Sequence, residues 1–149
     1  MGLAILSKTP IEKNKVISDI VISAINARLN INIEENAVSK TGRIEMQVSK
    51  DFESHEYLVL DIISIEEQKS MVSKGLLNYT FMEEKYFMIA STSDGDCEHI
   101  IFDFLLEYLS INPSHIGCIN ELAYVSKEKL IDLNENMGFQ KGWMSGFVL

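Results

Sequence analysis

The sequence predicts an α+β fold around a mainly antiparallel sheet, on three observations. Strand patterns follow one another without helices between them, which favours antiparallel pairing. A strongly apolar helix at about 97–110 is suited to lie across a sheet. An N-terminal helix opens the order, and a short C-terminal helix followed by a final strand closes it. The 149 residues read as a single globular domain, 1–149, and at 46% hydrophobic they hold enough apolar surface for a core without staples.

The elements follow in order. In "TPIE", Thr9 is placed to cap, Pro10 suits a first helical position, and Glu12 completes a capping box. Ile17, Ile20, Val21, Ala24 and Ile25 recur at helical spacing, so a helix is expected over about residues 10–29. In "RIEMQVSK", Ile44, Met46 and Val48 alternate with polar residues, the mark of a half-buried strand. A polar turn, "DFESH", leads to the more continuous strand "EYLVLDIISI". Ser64 and Glu67 form a second capping box, predicting a helix over about 65–74 with Gly75 closing it. "NYTFMEEKYFMIAST" reads as two strands around Glu83-Glu84, joined by a longer loop or a bulge, because neither Glu suits a two-residue hairpin. Ile100, Ile101, Phe104, Leu105, Tyr108 and Leu109 trace one face of the buried helix, and Asn112-Pro113 stops it. "IGCINELAYV" reads as one more strand. Ser126 caps a helix carrying Leu130, Leu133 and Met137, Gly138 ends it, and "FQKGWMSGFVL" is expected to run extended.

No nucleophile–base set declares itself. There is no Gly-x-Ser-x-Gly elbow, phosphate loop or dinucleotide fingerprint, and His55 in its polar turn has no identifiable partner. Asp94 and Asp96 of "SDGD" resemble the paired aspartates of haloacid-dehalogenase-type phosphotransferases. Ser91-Thr92-Ser93, however, separate them from the strand, and Glu98 stands where that chemistry needs a hydroxyl. A strand-to-helix joint explains them more simply: Asp96 caps, Glu98 complements the helix dipole, and Gly95 turns. Cys97, His99, His115 and Cys118 are zinc-ligand types, but Cys97 and His99 diverge at a helix start. Buried thiols and surface histidines are expected, with no catalytic residue, metal or cofactor.

The charge is lopsided, with 22 Asp+Glu against 13 Lys+Arg, net −9 and a pI near 4.8. That field repels a phosphate backbone and argues against nucleic-acid binding. Two cysteines, no signal-type apolar segment and no membrane-length run point to a cytoplasmic protein, monomer or homodimer, without membrane attachment. Carboxylates gather on turns: Asp51, Glu53 and Glu56, then Glu66 and Glu67, Glu83 and Glu84, and Asp94 with Asp96. Ordinary solubility accounts for many of them. The functional reading is a surface that docks a basic protein, with Tyr57, Tyr79 and Trp143 as aromatic anchors.

Two segments, "FDFLLEYLSINPSHI" and "YVSKEKL", resemble stretches of the small immunity proteins that accompany bacterial contact-dependent inhibition and other polymorphic toxins. The resemblance implies an antitoxin that binds one cognate protein toxin, often a cationic nuclease, and blocks it stoichiometrically. It transfers no functional residue. "LNENMGFQKGW" resembles, over Leu133–Lys141, the C-terminal part of GNAT-type acetyltransferases, which implies a degenerate acyltransferase using acetyl-coenzyme A. Against it, Ser93-Asp94-Gly95-Asp96 is acidic where a glycine-rich loop should hold the pyrophosphate. The apolar tail "WMSGFVL" allows a third reading, a structural or adaptor subunit pairing with another chain's sheet edge.

Overall fold

The computed structural model describes residues 2–38, 43–51, 56–76, 79–95 and 97–149. The chain runs β1 (Leu3–Ser7), α1 (Lys13–Asn26), β2 (Asn30–Val38), β3 (Ile44–Ser49), β4 (Tyr57–Ile62), α2 (Ile65–Ser73), β5 (Tyr79–Phe81) and β6 (Glu84–Gly95). It continues with α3 (Glu98–Ile111), β7 (Ile116–Ile119), β8 (Ala123–Val125), α4 (Lys127–Asn136) and a 3-10 helix (Trp143–Phe147). The strands form a sheet in the order β2-β3-β4-β6-β1-β7-β8, with β5 paired to β6 alone. Every named pairing is antiparallel, so the expected α+β architecture holds.

Strand alternation decides which side becomes the core. Leu3 and Ile5, Met46 and Val48, and Leu58, Leu60 and Ile62 all point to one face, where α1 and α3 cover them. From α1 come Val16, Ile20 and Ala24, and from α3 Ile101, Phe104, Leu105 and Tyr108. Each of these large apolar side chains contributes about 1.5–3 kcal/mol by leaving water. Gly117 on β7 lets α3 come close, since a Cβ there would lie 3.0 Å from Leu105 Cδ1. The last segment covers the start of α3. Trp143 packs edge-on against Phe102 and Phe147, its indole N–H donates to the Glu98 carbonyl (3.3 Å), and Gly142 N–H donates to the Glu98 carboxylate (2.8 Å).

Several boundaries differ from the sequence expectation, each for a local reason. α1 starts at Lys13, not Pro10, because the backbone of Ile11 is held outside the helix by Gln68, whose amide accepts from Ile11 N–H (2.9 Å) and donates to Ile11 C=O (2.8 Å). It ends at Asn26, with Arg28 left-handed at φ 59° and Leu29 N–H bonding back to Ala24 C=O. Two strands, β1 and β2, flank it where no strand was expected. β5 and β6 are joined by a two-residue turn, not a longer loop: Phe81 pairs with Glu84, and Met82 and Glu83 take φ 48° and 65°. "IGCINELAYV" is a hairpin of two strands rather than one. The tail winds into the 3-10 helix instead of a final strand, and only Val148 bridges to Ala123. α2, its Ser64 cap accepting from Glu67 N–H, and α3 lie where the sequence placed them. Asp96 and His55 lie outside the described residues, and the residue preceding α3 is Cys97.

Candidate functional site

Among the described residues, the apolar cluster on the other face of the sheet is built by strands alone. Ala4 and Leu6 of β1, Tyr86 of β6, and Ile116 and Cys118 of β7 point there and form a second apolar cluster. The alternation that sends Leu3 and Ile5 to the core sends these residues the opposite way. Met88 and Tyr124 flank them, half-buried.

β5 supplies the partial cover. It leaves β6 through the tight Met82–Glu83 turn, and its Tyr79 and Phe81 pack on this second cluster. Phe81 stacks on Tyr124 of β8, with ring centroids 5.3 Å apart and planes 9° from parallel, although β8 lies three strands from β6. The hairpin therefore crosses the face rather than extending it. Lys8 pins the turn end of the hairpin by an ion pair to Glu84 (2.5 Å), and Met82 stands at its tip, 80% exposed.

A cavity opens on either side of the hairpin. The first, about 400 Å³, is walled by Ala4, Tyr79, Met88, Ser91, Cys118 and Glu121 among others. The second, about 520 Å³, lies between the hairpin and α4, against Lys8, Phe81, Tyr86, Ile116, Tyr124 and Lys129. Burial pushes the Tyr79 hydroxyl up to about 12, and the nearby negative groups, Glu121 among them, act in the same direction. Burial likewise pushes the Cys118 thiol up to about 11, which keeps it protonated and unreactive.

The residues singled out in the sequence do not converge on this face. Ser49 pairs with Tyr57, and Val59 with Asp94, so Asp51, Glu56, Tyr57 and Asp94 share one end of the sheet. Glu66 and Glu67 follow the opposite end of β4, and Glu83 and Glu84 lie farther out in the same direction, at the turn into β6, since Ile62 at the end of β4 pairs with Ala90. Glu84 and Asp94 stand ten residues apart on one strand, roughly 33 Å at ~3.3 Å per residue. The carboxylates thus form two groups at opposite ends. Glu67 is paired with Arg43 (2.6 Å) and Glu84 with Lys8. Trp143, expected as a surface anchor, is 5% exposed and committed to the core. Of the other two aromatics, Tyr79 lines a cavity beside the hairpin, and Tyr57 stands at the far end of the sheet on β4. Glu53 and Asp96 lie outside the described residues, as does Phe52 of the same turn.

The four zinc-ligand types also stay apart. Cys97 opens α3, while His115 lies beyond its far end, about 21 Å away along the helix at ~1.5 Å per residue. Cys118 belongs to the second apolar cluster. His99 stacks on Phe139 with centroids 4.1 Å apart. Among the described residues, no group of three or more His, Cys, Asp or Glu could hold a metal. Gly138-Phe139 is a helix cap: Gly138 is left-handed at φ 69°, its N–H bonds to the carbonyls of Leu133 and Asn134, and Phe139 packs on His99 and Phe102.

One polar cluster was not foreseen. Tyr108 Oη and His115 Nδ1 are 2.9 Å apart in the interior, near the buried Asp19 that pairs with Lys15 (2.7 Å). Burial pushes His115 below its usual value; Asp19 opposes the shift and Lys15 adds to it. The cluster joins α1, α3 and the entry to β7, and is closed to solvent. Its sequence signal, polar residues at core positions of two helices, gives no pairing by itself.

No helix among the described residues is long and apolar enough to cross a membrane. No known family, characterised protein or solved structure matches this chain.

Proposed function

We propose that this chain is an immunity protein, a cytoplasmic antitoxin that binds one basic toxin domain and blocks it stoichiometrically. One observation carries the reading: a second apolar cluster built by strands alone among the described residues, bearing an aromatic hairpin flanked by two cavities, on a chain of net charge −9. An apolar patch with aromatic anchors, partly open on a monomer, is the kind of surface that a protein partner buries. The negative field speeds the approach of a cationic partner, while the patch holds it. The two acidic groups at the ends of the sheet then act as a steering rim, and the centre of contact is the Tyr79–Phe81 strand.

The test is co-expression with the product of the adjacent upstream gene. A 1:1 complex on size exclusion, rescue of growth, and an association rate that falls steeply with added salt are expected. Absence of both complex and rescue at micromolar concentrations overturns the proposal. Replacing Phe81 by Asp should weaken the complex by about tenfold or more without unfolding the sheet, because β5 pairs with β6 alone.

A further inference from the structure

The two cavities beside the hairpin differ in charge. The larger contains Lys8, whose partner is Glu84, and the neighbouring Glu128 and Lys129, so its charges balance and select no occupant. The smaller is different. Among the described residues, Glu121 is its one charged lining residue, and no Lys or Arg lines it. Among the described residues, no cation lies within ion-pair distance of the Glu121 carboxylate. Tyr79, Ser91, Thr92, Cys118, Ala4 and Met88 are among its other walls.

Glu121 is held there at a cost. It and Asn120 form the β7–β8 turn with φ 60° and 53°, a left-handed pair that side chains disfavour. Asn120 fixes the turn to the first strand, accepting from Gly2 N–H (2.9 Å) and donating its own N–H to Gly2 C=O (2.7 Å). The carboxylate therefore stands on a clamped turn, not on a free loop. Its field is felt at neighbouring groups: Tyr79, Cys118 and Tyr124 are each raised first by burial and further by Glu121. A carboxylate and a tyrosine in one cavity, lined by no described cation, are complementary to a side chain with an apolar stem and a cationic head.

We propose that this cavity receives one arginine side chain of a basic protein partner, its guanidinium paired with Glu121 and lying against the Tyr79 ring. The inference rests on the binding-protein reading and names the anchor that the partner supplies. The planar guanidinium fits because it can bond a carboxylate and stack on an aromatic ring at once, which an ammonium cannot.

The test uses the full chain, labelled with nitrogen-15, and three probes: N-acetyl-arginine methylamide, its neutral citrulline counterpart, and agmatine. The arginine probe is expected to shift the Ser91, Asn120 and Glu121 amide signals saturably, with half-saturation on the order of millimolar, as befits one side chain of a larger interface. The citrulline probe should shift none of them saturably. Glu121→Gln, an exposed and isosteric change, should weaken arginine binding about tenfold, and Tyr79→Leu roughly threefold. Equal shifts by citrulline, or no loss in Glu121→Gln, overturns the proposal. Micromolar binding of agmatine with weak binding of the peptide analogue also overturns it, in favour of a small-amine site. The two proposals fail separately. A toxin complex insensitive to Glu121→Gln removes the arginine pocket and leaves the immunity reading, whereas guanidinium binding with no toxin partner does the reverse.

Discussion

Gln68 shows no exposure, yet its side chain makes three hydrogen bonds, to Ile11 N–H, Ile11 C=O and Ile63 C=O. It is the tie between α2 and the segment that delays α1. Gln68→Leu keeps the volume but leaves three backbone groups without partners, each costing about 1–3 kcal/mol if it stays dry. We expect a loss of about 3 kcal/mol or more in urea unfolding, and a normal midpoint would refute this role. His115 gives a pH dependence. Its folded value lies below its unfolded one, chiefly through burial, so the unfolded chain takes up the proton more readily. The stability it supports is present above the unfolded value, about 6.5, and is lost as pH falls through the folded one. Protonation makes both ring nitrogens donors, so the contact with Tyr108 then runs from Nδ1–H to the hydroxyl oxygen. Wild-type unfolding free energy should fall more steeply below pH 6.5 than that of His115→Gln. Parallel pH profiles would show that the ring does not titrate in this way.

Among elements, the β5–β6 hairpin is the most dependent on tertiary support. Its two-residue turn needs left-handed backbone at both central positions, where Asn-Gly is preferred, and it uses Met82 and Glu83. Stacking of Phe81 on Tyr124 and the Lys8–Glu84 pair hold it closed. Glu83→Gly removes the strain at an exposed site and should stabilise the fold by about 1 kcal/mol, or roughly 2–4 °C in Tm by calorimetry. The same turn shows why local reading failed here: Glu83 carries no hairpin signal, and only packing across three strands makes the turn. β1 escaped for a related reason. "LAILS" is buried at every position, on one face by the helices and on the other by its strand neighbours and the β5 hairpin, so it lacks the alternation that marked β3. β2, "NINIEENAV", has few strand-forming residues after its first four. α2 and α3, by contrast, were legible because cap chemistry and an apolar face act within a few residues. For the site, Tyr79 was legible as an aromatic beside a turn, whereas Trp143 carried the same signal and went to the core. Glu121 carries no signal of its own in the sequence, since only the β7–β8 turn brings it to the same cavity as Tyr79.

At the scale of the molecule, the excess negative charge is distributed over both ends of the sheet and only partly neutralised by ion pairs such as Arg43–Glu67 and Lys8–Glu84. Like charges on one body favour expansion, and salt weakens that repulsion. Raising sodium chloride from about 20 to 500 mM should therefore increase Tm by a few degrees, and a decrease would mean that attractive pairs dominate the surface. The arrangement of β1 has a separate consequence for biosynthesis. This strand holds β6 on one side and β7 on the other, joining what would otherwise be two separate sheets. Yet β6 is translated roughly eighty residues after it, a wait of about 4–16 s at ~5–20 residues per second. Throughout that interval a nascent chain carries a bare, sticky pentapeptide with both backbone edges unsatisfied. A ribosome-bound chaperone is the natural custodian of such a segment, and slowing synthesis between β1 and β6 should lengthen its tenure there.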